Sequence, residues 1–416
     1  MTVWTVERLG RRGDGVAVAV AGEARALAPL VLPGEQIEGT AEDGRIPAPR
    51  ILTPSPDRVR APCPHYRACG GCPLMHGSDA FVAGWKVGVV ESALAAQGIT
   101  ARVEGIATSP PRSRRRAVLS GRRTKKGALV GFHARASDVV VDLAECLVVR
   151  PAILAAVPDL RRLVALGGSR AGEVTLAVTE TPAGLDIAAR GGKPLTPELL
   201  AALSAQAREA DWARLDWTDA AGATETLTRR PPALPLGRAR VVPPPGAFLQ
   251  ATAEGEAALL AAIRATVGDA ARMADLYAGI GTFTLPLAEH AEVHAVEGLA
   301  APLTALDAGW RAAAGALRKV TTETRDLARR PLLPDELARF DAVVIDPPRA
   351  GAEAQARALA ASDVPVVAWV ACDPVTFARD ARIMTEGGYA LTSLRVIDQF
   401  RWSPHVEIAA AFRRQA

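Results

Sequence analysis

The sequence predicts an α/β protein: a doubly wound, mostly parallel sheet at the C-terminus, preceded by a central α+β unit and a small N-terminal β-barrel of the OB-like kind. Three observations lead there. Beyond residue 245, short apolar strand-like runs alternate with Ala-rich helical ones; before residue 55, short Val/Ala/Leu runs alternate with turn signals. Two Pro-rich stretches, Pro47 to Pro64 and Pro231 to Pro245, part the three regions. The expected units are residues 1–57, 58–235 and 236–416. A chain of 416 residues with 49% hydrophobic side chains has ample material for more than one core.

Taken in order, the first 55 residues carry turns at Arg12-Gly13-Asp14-Gly15 and Leu32-Pro33-Gly34-Glu35, which is hairpin punctuation. A helical pattern covers Phe81 to Gln97. Alternating strands follow at Glu173 to Thr179 and Gly184 to Ala189 around Thr181-Pro182-Ala183, then a helix over Thr196 to Glu209. In the C-terminal unit, strands are expected at Ala271 to Leu276, Glu292 to Val296, Ala342 to Ile345 and Val364 to Val370. Tyr389 to Ile397 followed by Val406 to Phe412 reads as an antiparallel hairpin at the sheet edge. There is no internal repeat.

Charge is informative only by segment. Lys plus Arg total 49 against 45 Asp plus Glu, a formal +4. Residues 1–60 balance at eight of each sign, residues 61–150 hold thirteen basic against six acidic, and the remainder holds 28 against 31. The excess lies mostly between Arg112 and Lys126, a run with no acid in it. Such a run can contact several phosphates; in a protein without a polyanionic ligand it would be a solvated hairpin.

Five cysteines, three of them within ten residues (Cys63, Cys69, Cys72), argue against a secreted disulfide framework and for a metal or a reactive thiol. No apolar signal core stands near the N-terminus, and no run approaches the roughly 18 residues of a membrane span. A soluble, cytoplasmic protein is expected.

Asp275-Leu276-Tyr277-Ala278-Gly279-Ile280-Gly281-Thr282-Phe283 follows a strand and opens a helix, so its glycines permit a tight turn and close approach to a ligand. Thr284 stands where a dinucleotide fingerprint wants a third glycine, and no P-loop Lys follows. Glu297 ends the next strand, where a carboxylate can accept both hydroxyls of a ribose, and Asp326 closes the one after, where it can face an adenine. Loop, acid and acid together fit an S-adenosylmethionine site.

Two further strand ends carry Asp346-Pro347-Pro348-Arg349 and Ala371-Cys372-Asp373-Pro374. Arg349 replaces the aromatic that would stack a flat base for amino methylation, and Cys372 offers a soft nucleophile instead. A thiolate adding to C6 of uracil makes C5 enolate-like and able to attack a methyl sulfonium. The C5 proton must then leave, and Glu407 on the terminal hairpin is a candidate base.

These residues resemble the RNA 5-methyluridine methyltransferases, in particular the bacterial branch acting on 23S ribosomal RNA. The resemblance rests on Phe248-Leu249-Gln250, the loop Gly279 to Phe283, Asp346 to Arg349, Ala371-Cys372-Asp373-Pro374-Val375-Thr376 and His405-Val406-Glu407. It implies a Rossmann-like class I methyltransferase domain using S-adenosylmethionine, with Cys372 as nucleophile and Glu407 as base. Gln250, Tyr277, Gly279, Gly281, Thr282, Glu297, Asp326 and Asp346 would line the cofactor site. Asp373 stands where Asn is commoner, and Arg401-Trp402 replaces the usual Pro before the hairpin.

On ligand chemistry alone, four thiolates suit zinc or iron-sulfur. The resemblance favours a [4Fe-4S] cluster on Cys63, Cys69, Cys72 and Cys146. It also makes the N-terminal unit a TRAM-like RNA-binding barrel and assigns Arg112, Arg114, Arg115, Arg116, Arg122, Arg123, Lys125 and Lys126 to RNA. Because the related transfer-RNA enzymes typically lack cluster and barrel, the expected substrate is 23S ribosomal RNA, bound by a monomer with no membrane association. The alternatives are a transfer-RNA uridine C5 methyltransferase and a catalytically inactive iron-sulfur RNA-binding assembly factor.

Overall fold

The structure is a computed structural model in which residues 2–415 are described. Its largest sheet has eight strands in the spatial order Val320–Thr324, Glu292–Glu297, Arg272–Leu276, Ala342–Ile345, Val366–Ala371, Glu407–Arg414, Tyr389–Asp398 and Gly105–Thr108. All run parallel except Glu407–Arg414, which is antiparallel to both its neighbours. Such a sheet is covered on both faces, and Ala342–Ile345 is accordingly buried at every position. Val343 and Ile345 join Trp369, Phe377, Met384, Val90 and Leu94 in the core on one face. Ala342 and Val344 meet Leu259, Ile263, Leu303 and Leu306 on the other.

Two elements depart from the linear partition. Helix Asp79–Ala95 and strand Gly105–Thr108 fall within residues 58–235, yet both are built into the large sheet: the strand pairs with Tyr389–Asp398, and the helix buries Val90 and Leu94 in its core. The terminal hairpin is therefore not the edge, because Gly105–Thr108 lies outside it. Alternation alone could not show this, since four residues of partly exposed strand carry almost no periodic signal.

Lys86 fixes that junction. It is fully buried, its Nζ donating to Asp398 Oδ1 at 2.5 Å and to the Phe400 carbonyl at 3.0 Å. Burial pulls its pKa down, while the Asp398 carboxylate holds it up. Breaking a buried pair from one side strands the other charge, so Lys86→Met is expected to cost about 3–5 kcal/mol of stability. Chemical denaturation checks this.

The remaining central residues form a seven-stranded sheet in the order Thr224–Thr228, Arg214–Asp219, Gly184–Gly192, Glu173–Thr181, Arg116–Arg123, Ala128–His133 and Val140–Asp142. Helices Val157–Gly167 and Pro197–Glu209 pack on it through Leu160, Leu163, Leu203, Leu119, Leu176 and Ile187. Thr196 caps the second helix by accepting from the Leu199 N–H. Residues 2–53 make a five-stranded antiparallel sheet around Trp4, Val6, Ala28, Val31, Ile37 and Ile46.

The N-terminal unit rests on the terminal hairpin. Gly13 sits so close that an added Cβ would lie 3.2 Å from Leu74 and 3.9 Å from Pro404. The Leu74 N–H donates to the Trp402 carbonyl at 2.9 Å, and Arg11 reaches Asp373 at 3.7 Å.

Candidate active site

The motif residues of the large sheet lie at the carboxyl ends of parallel strands or in the hairpin that folds over those ends, where open α/β sheets bind ligands, and Phe248-Leu249-Gln250 joins them from the loop before helix Ala253–Val267. The loop after Arg272–Leu276 is strained into shape. Tyr277, Gly279 and Gly281 have φ of 63°, 56° and 88°, all left-handed. For Tyr277 that conformation is uncommon and marks a backbone held for a purpose. At Gly281 a Cβ would come within 2.7 Å of Leu306, so glycine is required for space as well; around Gly279 the space is open.

Glu297 closes this loop. One carboxylate oxygen accepts the Gly279 N–H at 3.1 Å, the other the Leu299 N–H at 3.0 Å, and each keeps a lone pair for a ligand. Asp326 lies exposed two residues past the end of its strand, Val320–Thr324. Burial raises the Tyr277 hydroxyl to about 12, and the charges of Asp380, Asp326 and Glu297 add to the shift. Thr282 is part-buried in the turn before the short helix Thr284–Leu287.

Beneath the loop, Asp275 is buried. Its Oδ2 accepts from the Thr284 hydroxyl at 2.5 Å, while Oδ1 has no partner. Burial pushes this carboxyl up to about 7, with Glu297 adding to it. An orphaned buried carboxylate oxygen, an open Gly279 and a carboxylate pinned by backbone donors make a cradle that suits a polar nucleoside.

The second group of side chains surrounds Cys372. The register that pairs Ala371 with Ile408 sets the next positions, Cys372 and Glu407, across from one another. Cys372 is part-exposed and Glu407 buried. Burial, then the charges of Glu407 and Asp346, raise the thiol to about 12, while Arg349 works the other way. Glu407 is itself pushed far above the usual carboxylate range by burial and by Asp346. Asp346 rises to about 7 from burial and Asp275, with the Gln250 amide pulling it down.

The thiol stands just before helix Pro374–Glu386, whose N-terminus favours a thiolate. Asp373 is that helix's cap, accepting the Val375 and Thr376 N–H groups at 2.9 and 3.2 Å. An Asp in place of the commoner Asn thus keeps the capping oxygen.

The Arg-rich run is divided by the fold. Arg115 is buried, pairs with Glu256 and donates to the Gln250 carbonyl at 3.2 Å, which removes it from any phosphate surface. Arg114 covers the Phe400 ring at 5.5 Å and donates to the Arg116 carbonyl, and Arg116 reaches Gly246. These guanidiniums turn inward because the segment leading into strand Arg116–Arg123 is held between two others, the Arg114 N–H donating to the Val148 carbonyl and the Arg115 N–H to the Ala251 carbonyl, both at 3.0 Å. Arg123 is part-buried and reaches Gly168, whereas Arg112, Arg122, Lys125 and Lys126 are exposed.

The cysteine loop brings Cys63, Cys69, Cys72 and Cys146 into mutual electrostatic range, each of the other three raising the Cys72 thiol after burial has done so. None is in a disulfide. Backbone N–H groups of Gly71 and Val148 point at Cys69 and Cys146 sulfurs, each at 3.4 Å. Among the described residues, no three His, Cys, Asp or Glu side chains are set at metal-ligating separation. The four soft donors and the N–H groups aimed at them suit a thiolate-bound group; the sulfurs are neighbours rather than a closed ligand shell.

Three side chains of this region were not anticipated from sequence: Lys86, Asp275 and Gln399. Gln399 is buried between Gln250 and helix Ala253–Val267. Its neighbours Asp398, Arg401, Ser403 and His405 are polar as well, so the sequence carried no signal for it.

A family model described as tRNA (Uracil-5-)-methyltransferase matches residues 244–415. An RNA methyltransferase of Brucella suis, itself uncharacterized, is 43% identical over 99% of this chain and 97% of its own. The 23S rRNA (uracil(1939)-C(5))-methyltransferase RlmD of Chromohalobacter salexigens is 32% identical over 97% of this chain and 87% of its own. Among solved structures, the Pyrococcus abyssi tRNA (uracil-54, C5)-methyltransferase in complex with S-adenosyl-L-homocysteine superposes with a TM-score of 0.77 at 20% identity, covering 98% of this chain and 99% of that one. That last likeness overturns one sequence-based argument: an enzyme named for transfer RNA shares the architecture end to end, so the N-terminal unit does not distinguish the two substrates.

Proposed function

Since the chain belongs to the tRNA (uracil-5-)-methyltransferase family, whose members are S-adenosylmethionine-dependent RNA methyltransferases, we propose that it methylates C5 of a uridine in 23S ribosomal RNA. The observation that carries the chemistry is Cys372 set opposite Glu407, with Asp346 close enough to shift both. The ribosomal substrate is supported by 32% identity across nearly the whole chain to an enzyme named for 23S rRNA.

The proposed sequence of events uses these residues in fixed roles. Cys372, which is part-exposed, gives its proton to solvent as its sulfur bonds C6, and the displaced π electrons make C5 nucleophilic. Bound S-adenosylmethionine would supply that carbon with an electrophilic methyl and depart as S-adenosylhomocysteine. Glu407 removes the C5 proton, C5=C6 re-forms, and the Cys372 thiolate leaves. The positive charge of the donor is what the resting site lacks, since Glu407 and Asp346 both disfavour a thiolate. A target uridine has to leave its stack to enter such a pocket.

In this reading Gln250, Tyr277, Gly279, Gly281, Thr282, Glu297, Asp326 and Asp346 line the donor site. Exposed Arg112, Arg122, Lys125 and Lys126 contact phosphate, with residues 2–53 as a TRAM-like RNA-binding unit. Cys63, Cys69, Cys72 and Cys146 hold a [4Fe-4S] cluster that ties the loop to the central sheet; methyl transfer needs no electrons from it. No helix among the described residues is long and apolar enough to cross a membrane.

Nucleoside mass spectrometry on RNA from a deletion strain is expected to show 5-methyluridine missing from 23S rRNA. Loss from transfer RNA instead would establish the alternative substrate, and loss from neither would favour the assembly-factor reading.

A further inference from the structure

Three buried groups form a chain whose direction is set at one end. The Thr252 N–H donates to Gln399 Oε1 at 3.2 Å, Gln399 Nε2 donates to Gln250 Oε1 at 2.7 Å, and Gln250 Nε2 donates to Asp346 Oδ2 at 3.1 Å. A glutamine amide has nearly the same shape either way round, so its orientation is decided by its partners. A backbone N–H can only donate, which forces oxygen toward it at Gln399. The Gln399 nitrogen must then donate, which forces oxygen toward it at Gln250 and leaves the Gln250 nitrogen for Asp346.

Gln250 and Gln399 are 3% and 2% exposed, so water does not compete for these bonds. Space for Gln399 is reserved by Gly255, where a Cβ would lie 2.2 Å from the Gln399 Cγ. Thr252 is held in place as the cap of helix Ala253–Val267 and by the Ser109 hydroxyl at 2.7 Å.

We propose that Gln399 is a positioning residue that fixes which end of the Gln250 amide faces Asp346, so that this carboxylate always meets an N–H and never a carbonyl oxygen. The proposal rests on the methyl-transfer reading for its kinetic consequence but not for its geometry. Asp346 is where the relay acts: burial and Asp275 favour its neutral form, and the Gln250 N–H opposes them. The other groups near it are Cys372 and Glu407, with Arg349 acting on both.

Two substitutions separate polarity from packing. Gln399→Met keeps the volume and removes both bonds. Gln399→Glu keeps the shape and still accepts from Thr252, but offers Gln250 an acceptor, which turns the Gln250 oxygen toward Asp346. Both are expected to lower kcat for methyl transfer by about tenfold or more with little change in KM for RNA. In a Gln250→Ala background, Gln399→Met is expected to cost less than about twofold, because the residue it orients is gone.

A second readout does not need turnover. The pH at which S-adenosylhomocysteine affinity changes on the acid side is expected to move upward most in Gln399→Glu, since Asp346 facing the Gln250 oxygen holds a proton to higher pH, and less in Gln399→Met, where the Gln250 amide is free to turn either way. Wild type that transfers no methyl to any RNA would refute the methyl-transfer reading alone, and this binding profile would still decide the relay. Wild-type kcat in Gln399→Glu, an undiminished Gln399→Met effect in the Gln250→Ala background, or an unmoved binding profile would overturn the proposal.

Discussion

Cys372→Ala is expected to abolish methyl transfer, lowering the rate by about four orders of magnitude or more, which corresponds to about 5.5 kcal/mol of lost transition-state stabilisation. The size follows from uracil itself. C5 of an intact pyrimidine ring has almost no tendency to attack a sulfonium, and Cys372 is the thiol set across from Glu407 by the strand register. S-adenosylmethionine binding should survive, because Glu297, Tyr277 and the Gly279 loop are held by other strands. Radiolabel transfer and calorimetric binding, measured on the same preparation, check both halves. Residual transfer within a hundredfold of wild type would sink the covalent route.

Glu407→Gln separates the two halves of that route. Turnover is expected to fall by about 10²–10⁴-fold, the usual range for losing a general base, while a protein–RNA adduct accumulates and survives denaturing electrophoresis. The amide cannot take the C5 proton, so C5=C6 cannot re-form and the sulfur stays bonded to C6.

The same substitution has a stability signature with a definite sign. Glu407 is raised in the folded protein, so folding favours its protonated form. It therefore destabilises the fold once pH exceeds the unfolded carboxyl pKa of about 4.3. Glu407→Gln should be more stable than wild type near neutrality, with the difference closing below about pH 4. Thermal unfolding across that range measures it.

Four parallel strands of the large sheet were readable from alternation because each is a short apolar run, and the functional motifs fall at the ends of those strands; their spatial order and the outermost strand were not. Cys372 and Glu407 could be named from sequence because their chemistry is specific. Their mutual geometry could not, since the register of Val366–Ala371 against Glu407–Arg414 is set by packing on both faces. What stayed hidden was non-local. Lys86 reads as one charge on an ordinary helix, and only the fold brings Asp398, 312 positions away, to its ammonium. The Arg-rich run misled for a related reason: composition counts charges, but the backbone contacts of the segment before strand Arg116–Arg123 with Val148 and Ala251 send Arg115 to Glu256 and Arg114 to Phe400.

Strand Gly105–Thr108 also bears on how this protein can be divided. The region matched by the family model begins at residue 244, yet the fold it describes borrows its outermost strand and the counter-ion of Asp398 from residues that precede it by more than a hundred positions. A fragment cut at that boundary would expose the Arg395–Asp398 part of the Tyr389–Asp398 edge as an open template for intermolecular pairing, with an unneutralised carboxylate beneath it. The smallest inheritable unit of this enzyme is thus discontinuous along the chain, and any ancestor or engineered minimal version must carry helix Asp79–Ala95 and its following strand along with the motifs.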